Sequence, residues 1–451
     1  MYFIIILYQL FVRPLQHWLL VGLCLLYVPV SAQQVLGLAD CAELLTKNNL
    51  SYREGQLQAE VAQAQWRQAK SQQLPTLGIN ASQGVNLGRS IDRFTNAYID
   101  QLYNSSYVGA NVQAPIFQGF QVQNQIRQYK LLKESSLESS TAIRNGQLLL
   151  MVQAYVQVLA TKALYESAQQ QVATSKEQVD RVEKQVKAGV VGANGLYEIR
   201  AQLSNDTFEE VTALNNYRMA RLALFQLLNI PPDADTQFRP LSVSANEPLV
   251  QVAGEIFEEA EKNFPSIRAA ELRRQSFGYQ VKSIKALNFP SLNASANFGA
   301  FYASTNKQLD YFAQLNATRN GSLSLGLYIP IMGRWQTRPR VELAQVQERI
   351  ARNQLDQSRL LLRQGIEQSV LDVTASQDRY QAAREQAEAL EASYATVSSR
   401  LNAGTATIFE YSLSKANLAR AQANAIRATY EYIMNRKILQ YYRQGSWDGI
   451  L

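Results

Sequence analysis

Two hydrophobic rhythms alternate along the chain. Over residues 38–72, apolar positions recur three and four apart among Glu, Gln, Ala, Lys and Leu, the rhythm of an amphipathic helix. At Pro75 it stops, and apolar and polar residues then alternate one for one, as in a strand with two unlike faces. Proline accounts for the break. It lacks the N–H a continuing helix needs, and it disfavours helix in the residue before it. The pattern predicts a helix over 38–72, strands over 76–88 and 106–117, a long helix over 118–187 and a shorter one over 196–229. A helix of ~70 residues would run ~105 Å, which calls for a coiled-coil-like neighbour. Val172, Val179, Val182 and Val186 form its packing seam. Ala387, Tyr394, Val397 and Leu401 form the matching seam in the second half of the chain.

That match is one of many at a single offset. Pro75 and Pro290, Pro115 and Pro330, Gly189 and Gly404, and Asn48 and Asn263 each stand 215 apart. So do Tyr217 and Tyr432, Met219 and Met434, Arg221 and Arg436, and Leu224 and Leu439. A constant offset over this span implies an internal duplication without net insertion. The expected organisation is a segment 1–32 removed on export, a first repeat over 33–229, a linker over 230–249 rich in proline and turn formers, and a second repeat over 250–451.

The four strands divide cleanly by face. Ile79, Ala81, Val85 and Leu87 oppose Asn80, Ser82, Gly84 and Asn86; Val108, Ala110, Val112 and Ala114 oppose Tyr107, Gly109, Asn111 and Gln113. Leu292, Ala294, Ala296 and Phe298 oppose Asn293, Ser295, Asn297 and Gly299; Leu323, Leu325, Leu327 and Ile329 oppose Ser322, Ser324, Gly326 and Tyr328. The polar rows carry amides, hydroxyls and glycines with almost no charge. A soluble sandwich would commonly show Lys, Glu or Thr there. Strands of ~10 residues, apolar on one face and polar on the other, suit an outer-membrane barrel with a wet lumen. Four strands cannot close a barrel, and an open edge in lipid leaves backbone groups unpaired. Several chains should therefore complete one barrel, with loops 89–105 and 303–320 facing away from the cell.

Composition narrows the function. Hydrophobic residues make up 47% and charged ones 18%, so the chain can build cores. The formal charge is only +7, and the cations are scattered in sequence, which argues against nucleic acid as a partner. Arg13 and His17 precede an apolar run to Val30, and Val30 and Ala32 fit an export-signal cleavage site before Gln33. Cys24 follows Leu23, not the small residue that lipidation needs. With cleavage at Gln33, Cys41 is the only cysteine left and no histidine remains. An internal disulfide and His-based catalysis or metal binding are then excluded. No phosphate-binding loop, dinucleotide-binding glycine motif or nucleophile elbow is present. The reading is a non-enzyme, with no catalytic, cofactor or metal residues.

The sequence resembles the TolC family of outer-membrane efflux ducts over nearly all of the chain beyond the export signal. The resemblance rests on "LPTL" and "FPSL" before the first strand of each half, on "APIF" and "YIPI" after the second, on Ala188-Gly189 and Ala403-Gly404, and on the repeated strand–long-helix order. It implies a mostly α fold with a transmembrane β part, in which four strands from each of three chains form a 12-stranded barrel continued by a long α-helical barrel. It also implies a passive duct in the outer membrane of a Gram-negative bacterium, extending into the periplasm and bounded by outer-membrane lipid. A periplasmic adaptor would grip the hairpin tips, and an inner-membrane RND or ABC pump would drive efflux or type I secretion. The tip residues are Ala188, Gly189 and Val190 in the first half and Ala403, Gly404 and Ile408 in the second. Glu410, six residues after Gly404, occupies the family's constriction acid. Gly195 stands at the equivalent place in the first half, with Glu198 the nearest acid, and the family's second acid, one turn beyond Glu410, is Leu413. The alternative role for Glu410 is that of an acid favoured near a helix N-terminus. The channel-lining residues are Asn80, Ser82, Asn86, Asn111, Gln113, Asn293, Ser295, Asn297, Ser322 and Ser324. The alternative functions are a periplasmic adaptor or a secreted helical scaffold.

Overall fold

The computed structural model describes residues 35–92, 94–189, 192–233, 235–242 and 252–451. The export signal expected over 1–32, Val190 and residues 243–249 of the expected linker lie outside the described residues. In chain order the elements are β1 (Val35–Leu36), α1 (Leu38–Asn48), α2 (Leu50–Ser71), β2 (Thr76–Asn86), β3 (Arg89–Ile91), β4 (Tyr98–Asp100), β5 (Tyr103–Gln118), α3 (Gln121–Lys187), α4 (Ala193–Leu228) and β6 (Gln237–Phe238). The second half adds α5 (Ala253–Asn263), α6 (Pro265–Lys285), a 3-10 turn, β7 (Ser291–Ala303), α7 (Tyr311–Thr318), β8 (Asn320–Tyr328), α8 (Arg334–Asn402) and α9 (Ile408–Gln444). The starts of α1 and α5, α2 and α6, β2 and β7, and α4 and α9 all stand 215 residues apart.

One four-stranded antiparallel sheet has the order β2-β5-β7-β8. The helices attached to these strands pack in the same order, α2 on α3, α3 on α6 and α6 on α8. Each strand therefore continues into its own place in a helical wall, and the wall crosses from sheet to helix without changing neighbours. Away from the sheet, α4 runs back along α3 and α9 along α8, so each long helix becomes half of a hairpin.

The main core sits about halfway along the long helices. Leu148, Met151, Val152, Tyr155, Val158 and Leu159 of α3 meet Leu224, Phe225 and Leu228 of α4, Leu362 and Ile366 of α8, and Tyr432 and Leu439 of α9. Part of the segment expected as linker belongs here. β6 pairs parallel with β1, and the Tyr155 hydroxyl donates to the carbonyls of Leu36 and Arg239 on either side of the pair, at 3.1 and 2.7 Å. A proline-rich composition marks the join but not this pairing, which spans some 200 residues of sequence.

Several boundaries depart from the sequence reading. The helix expected over 38–72 is two, because the Asn49 side chain caps α2 by accepting from Tyr52 N–H at 2.9 Å. The long helix starts at Gln121 because Gly119 and Phe120 are left-handed, with φ of +58° and +67°. A Cβ at Gly119 would collide with Phe289 and with the Ala286 carbonyl, so only glycine lets the chain turn there. The loops expected over 89–105 and 303–320 contain structure of their own. The first holds the β3–β4 hairpin and the second holds α7, pinned by the fully buried Gln314, whose amide donates to the carbonyls of Asn306 and Leu309.

Candidate functional site

The register of the sheet decides which side chains share a face, since residues directly opposite on antiparallel strands point the same way. Gln113, Ser295 and Ser324 form one row across β5, β7 and β8; Asn111, Asn297 and Ser322 form the next. Gly78 extends the second row onto β2, where Asn80 and Ser82 follow opposite Gly109 and Tyr107. Ser295 and Ser324 hydrogen-bond through their hydroxyls at 2.7 Å, and Asn86 donates to the Ser105 hydroxyl at 2.8 Å. All ten strand residues assigned from sequence thus lie on one side of the sheet.

The opposite side is apolar and uncovered. Leu77, Val112, Ala296 and Leu323 form one row, and Ile79, Ala110 and Phe298 the next. Ile79 is 79% exposed and Leu323 82% exposed. Water is a poor solvent for such a surface: each Å² left uncovered forgoes about 25 cal/mol. An extended apolar face of this kind marks a contact with another apolar phase. Tyr107 adds a detail that alternation alone did not reveal. Its ring lies over Gly109 and Gly299, a cross-strand pair, and any side chain at either position would meet its hydroxyl. Two glycines in register beside an aromatic residue were the available signal.

At the other end, α3 stops at Lys187 and α4 begins at Ala193, and α8 stops at Asn402 and α9 begins at Ile408, so each hairpin is joined by five residues. Gly189 and Gly404 adopt nearly identical left-handed conformations, with φ of +72° and +74°. At the second turn, Gly404 N–H donates to the Leu401 carbonyl and Thr405 N–H to Arg400, the paired bonds that terminate a helix through a left-handed residue. At the first, Gly189 N–H donates to Val186. Ala188 and Ala403 are the matching last turn residues, and Ile408 opens α9. Just above the turns, Val182 of α3, Ile199 of α4 and Tyr411 of α9 are buried together, with Leu196, Val397, Leu401 and Ile408 packed around them. The expected seam residues Val179, Val186 and Tyr394 belong to this cluster, so the two tips stand side by side.

Glu410 is exposed on the first turn of α9 and closes a capping box. Its N–H donates to the Thr407 hydroxyl at 3.1 Å, and its carboxylate accepts from Thr407 N–H at 2.8 Å. The Thr407 N–H, then its hydroxyl and the Arg400 charge, hold the carboxyl below its ordinary range. Glu198 is exposed on α4, next to the buried Ile199. Leu413 is exposed one turn beyond Glu410.

Sequence reasoning missed a buried polar cluster between the hairpins. The Lys415 ammonium donates to Asp206 at 2.7 Å, to the Gln171 carbonyl at 3.0 Å and to the Ser175 hydroxyl. Ser175 and Gln202 also donate to the Asp206 carboxylate. The Lys415 and Asp206 side chains are 5% and 6% exposed. The cluster ties α3, α4 and α9 together above the tips.

Comparison with known proteins agrees with this geometry. The profile described as outer membrane efflux protein matches residues 42–229 and 256–440, one stretch in each half. The protein CyaE of Bordetella pertussis is 19% identical over 354 residues, which is 78% of this chain and 72% of that one. The outer membrane protein TolC of Salmonella enteritidis is 24% identical over 166 residues, 35% of this chain and 34% of its own. The crystal structure of the outer membrane protein VceC from Vibrio cholerae superposes with a TM-score of 0.77 at 16% identity, covering 91% of this chain and 96% of that one.

Proposed function

Because the chain belongs to the outer membrane efflux protein family, we propose that it is the passive exit duct of a tripartite efflux or type I secretion system. The single observation that carries this reading is the four-stranded sheet. It has one polar face, one uncovered apolar face and two edges unpaired among the described residues, and each strand runs on into a wall of helices. Three chains pairing β8 of one to β2 of the next give a 12-stranded barrel and a continuous helical barrel below it. The apolar rows then meet the lipid of the outer membrane, and the rows from Asn80 to Ser324 line the passage. The two halves are an internal duplication, a reading supported by element starts at one offset and by a family match in each half. The units are 33–229 and 250–451, joined through 230–249.

The duct contributes a path, and energy comes from an RND or ABC pump in the inner membrane. The tips, from Ala188, Gly189 and Val190 to Ala403, Gly404 and Ile408, are the docking points for a periplasmic adaptor. Three copies of Glu410 narrow the entrance, and Glu198, the nearest acid in the first tip, is the second candidate there. No step here involves bond making or breaking, so the chain needs no catalytic group.

Fractionation and planar-bilayer recording test the reading together. A heat-modifiable trimer in outer membranes, with ion conductance after reconstitution, is the expected result. Soluble monomer without conductance would overturn it. For the entrance, Glu410→Gln is the informative change, because glutamine at this place still completes a capping box. The helix start is preserved while the charge goes. Single channels of this variant should show weaker cation selectivity and weaker block by divalent cations; unchanged values would leave Glu410 as a helix cap only.

A further inference from the structure

Cations that are scattered in sequence converge where the helices meet the sheet. Residues 64–72, 118–133, 275–290 and 329–341 contain ten lysines and arginines and no aspartate or glutamate. They are the last turns of α2 and α6, the first turns of α3 and α8, and the connections to the strands. All lie within about 20 Å of a strand end. Ten charges exceed the formal excess of +7 for the whole chain, so the remainder is slightly acidic. The collar is thus a local feature and not a reflection of a basic protein.

Aromatic rings hold part of it. Lys70 and Lys133 lie 3.9 and 4.9 Å from the centre of the Trp66 ring, joining α2 to α3. Lys282 and Arg127 lie 4.6 and 5.8 Å from that of Tyr279, joining α6 to α3. Between α6 and α8 the arrangement differs. There a groove of about 610 Å³ is lined by Lys285, Asn288, Arg334, Trp335, Arg338 and one acid, Glu342. Among the described residues, Lys285 and Arg334 have no acidic partner, while Arg338 is paired with Glu342 of the groove wall at 3.3 Å. The groove lies between two helices of one chain, not at the edge where another chain would pair.

Its surroundings are apolar. Beyond Leu323, Leu325 and Leu327 of β8 the chain bends after Pro330, and the apolar residues there stay uncovered: Ile331 is 87% exposed and Trp335, at the start of α8, 79% exposed. On the outer-membrane reading of the previous section, on which this inference rests, the apolar face of β8 is in hydrocarbon, and the strand leads directly into the α8 side of the groove.

We propose that this groove binds the headgroup phosphate of an anionic phospholipid in the leaflet facing the periplasm. The unpaired Lys285 and Arg334 supply the charge, and the guanidinium groups offer paired donors to phosphate oxygens. Trp335 has the amphipathic ring that settles at the level of headgroups, and the uncovered apolar residues from Leu325 to Ile331 give the acyl chains a surface. A free anion would satisfy the cations but would leave that surface bare.

Trp335 provides the readout. The purified full-length protein in detergent is titrated with dibrominated phosphatidylglycerol or dibrominated phosphatidylcholine, and tryptophan quenching is followed. Phosphatidylglycerol should quench at a mole fraction about tenfold lower, and Trp335→Phe should remove that component. Lys285→Gln with Arg334→Gln should abolish the preference, and Arg334→Gln alone should reduce it if the pair fails to assemble. Millimolar sn-glycerol 3-phosphate should not displace the lipid. Equal quenching by the two lipids, a preference that survives the substitutions, or full displacement by glycerol phosphate would overturn the proposal. Conductance in phosphatidylcholine bilayers with no lipid preference would sink the lipid site and leave the duct intact; no conductance in any bilayer would sink the duct.

Discussion

Asp206→Ala should cost the protein about 3–5 kcal/mol, because it leaves the Lys415 ammonium buried without a counter-charge. Among the described residues Asp206 is the only carboxylate that Lys415 meets, and the other two partners, the Gln171 carbonyl and the Ser175 hydroxyl, cannot neutralise it. The loss concerns the removal of one partner and not the net worth of the pair. Replacing Asp206 by leucine and Lys415 by methionine together removes both desolvation penalties, and it should recover much of the stability. Thermal unfolding followed by helical circular dichroism separates the cases. The single variant should melt well below the double one. A single variant that melts with the wild type would mean that Lys415 swings out to water.

Trp447→Ala should be of similar size, about 3–5 kcal/mol. Trp447 is 1% exposed and stacks on Tyr441 with ring centres 4.8 Å apart. Its indole N–H donates to the Asn145 carbonyl at 3.0 Å, and the Asn145 amide donates to Gly445. The residues after α9 are thereby locked onto the middle of α3. Alanine empties the site and also removes the donor. Trp447→Phe keeps most of the volume and loses only the hydrogen bond, worth about 1 kcal/mol net. The same melting experiment should rank the two variants in that order; equal losses would assign the whole effect to the indole N–H.

How much of this was legible in the sequence depends on how local the cause is. A proline break followed by strict alternation is a local signal, and it placed the start of β2 at Thr76. The period of two also sorted the side chains by face, so Asn111 and Asn297 could be assigned to the same surface before their pairing was known. Helix starts were less legible. Two adjacent asparagines, Asn48 and Asn49, were a visible cap signal inside an otherwise continuous rhythm. Phe120 was not: it is left-handed beside Gly119, whose own close neighbours, Phe289 and the Ala286 carbonyl, lie far along the chain. The Lys415–Asp206 pair was least legible of all. At the offset of 215, Arg200 corresponds to Lys415 and Ala421 to Asp206. Arg200 is exposed and reaches Glu183 at 3.7 Å. The repeat therefore gives no hint that one cation of the two is buried.

The open sheet has a further consequence, for biogenesis. β2 and β8 each carry one edge that pairs with no other strand among the described residues. All nine residues of β8 are exposed. Unpaired edges beside an apolar surface are templates for indiscriminate pairing. On the trimeric reading, closure of the ring satisfies all three seams at once, and a dimer would still hold two open edges. Folding and assembly then form a single event, and the stability of each subunit depends on its own concentration. On the same reading, a chain is most exposed to misassociation and proteolysis before its two sisters arrive, and the rate at which they arrive limits how many trimers form.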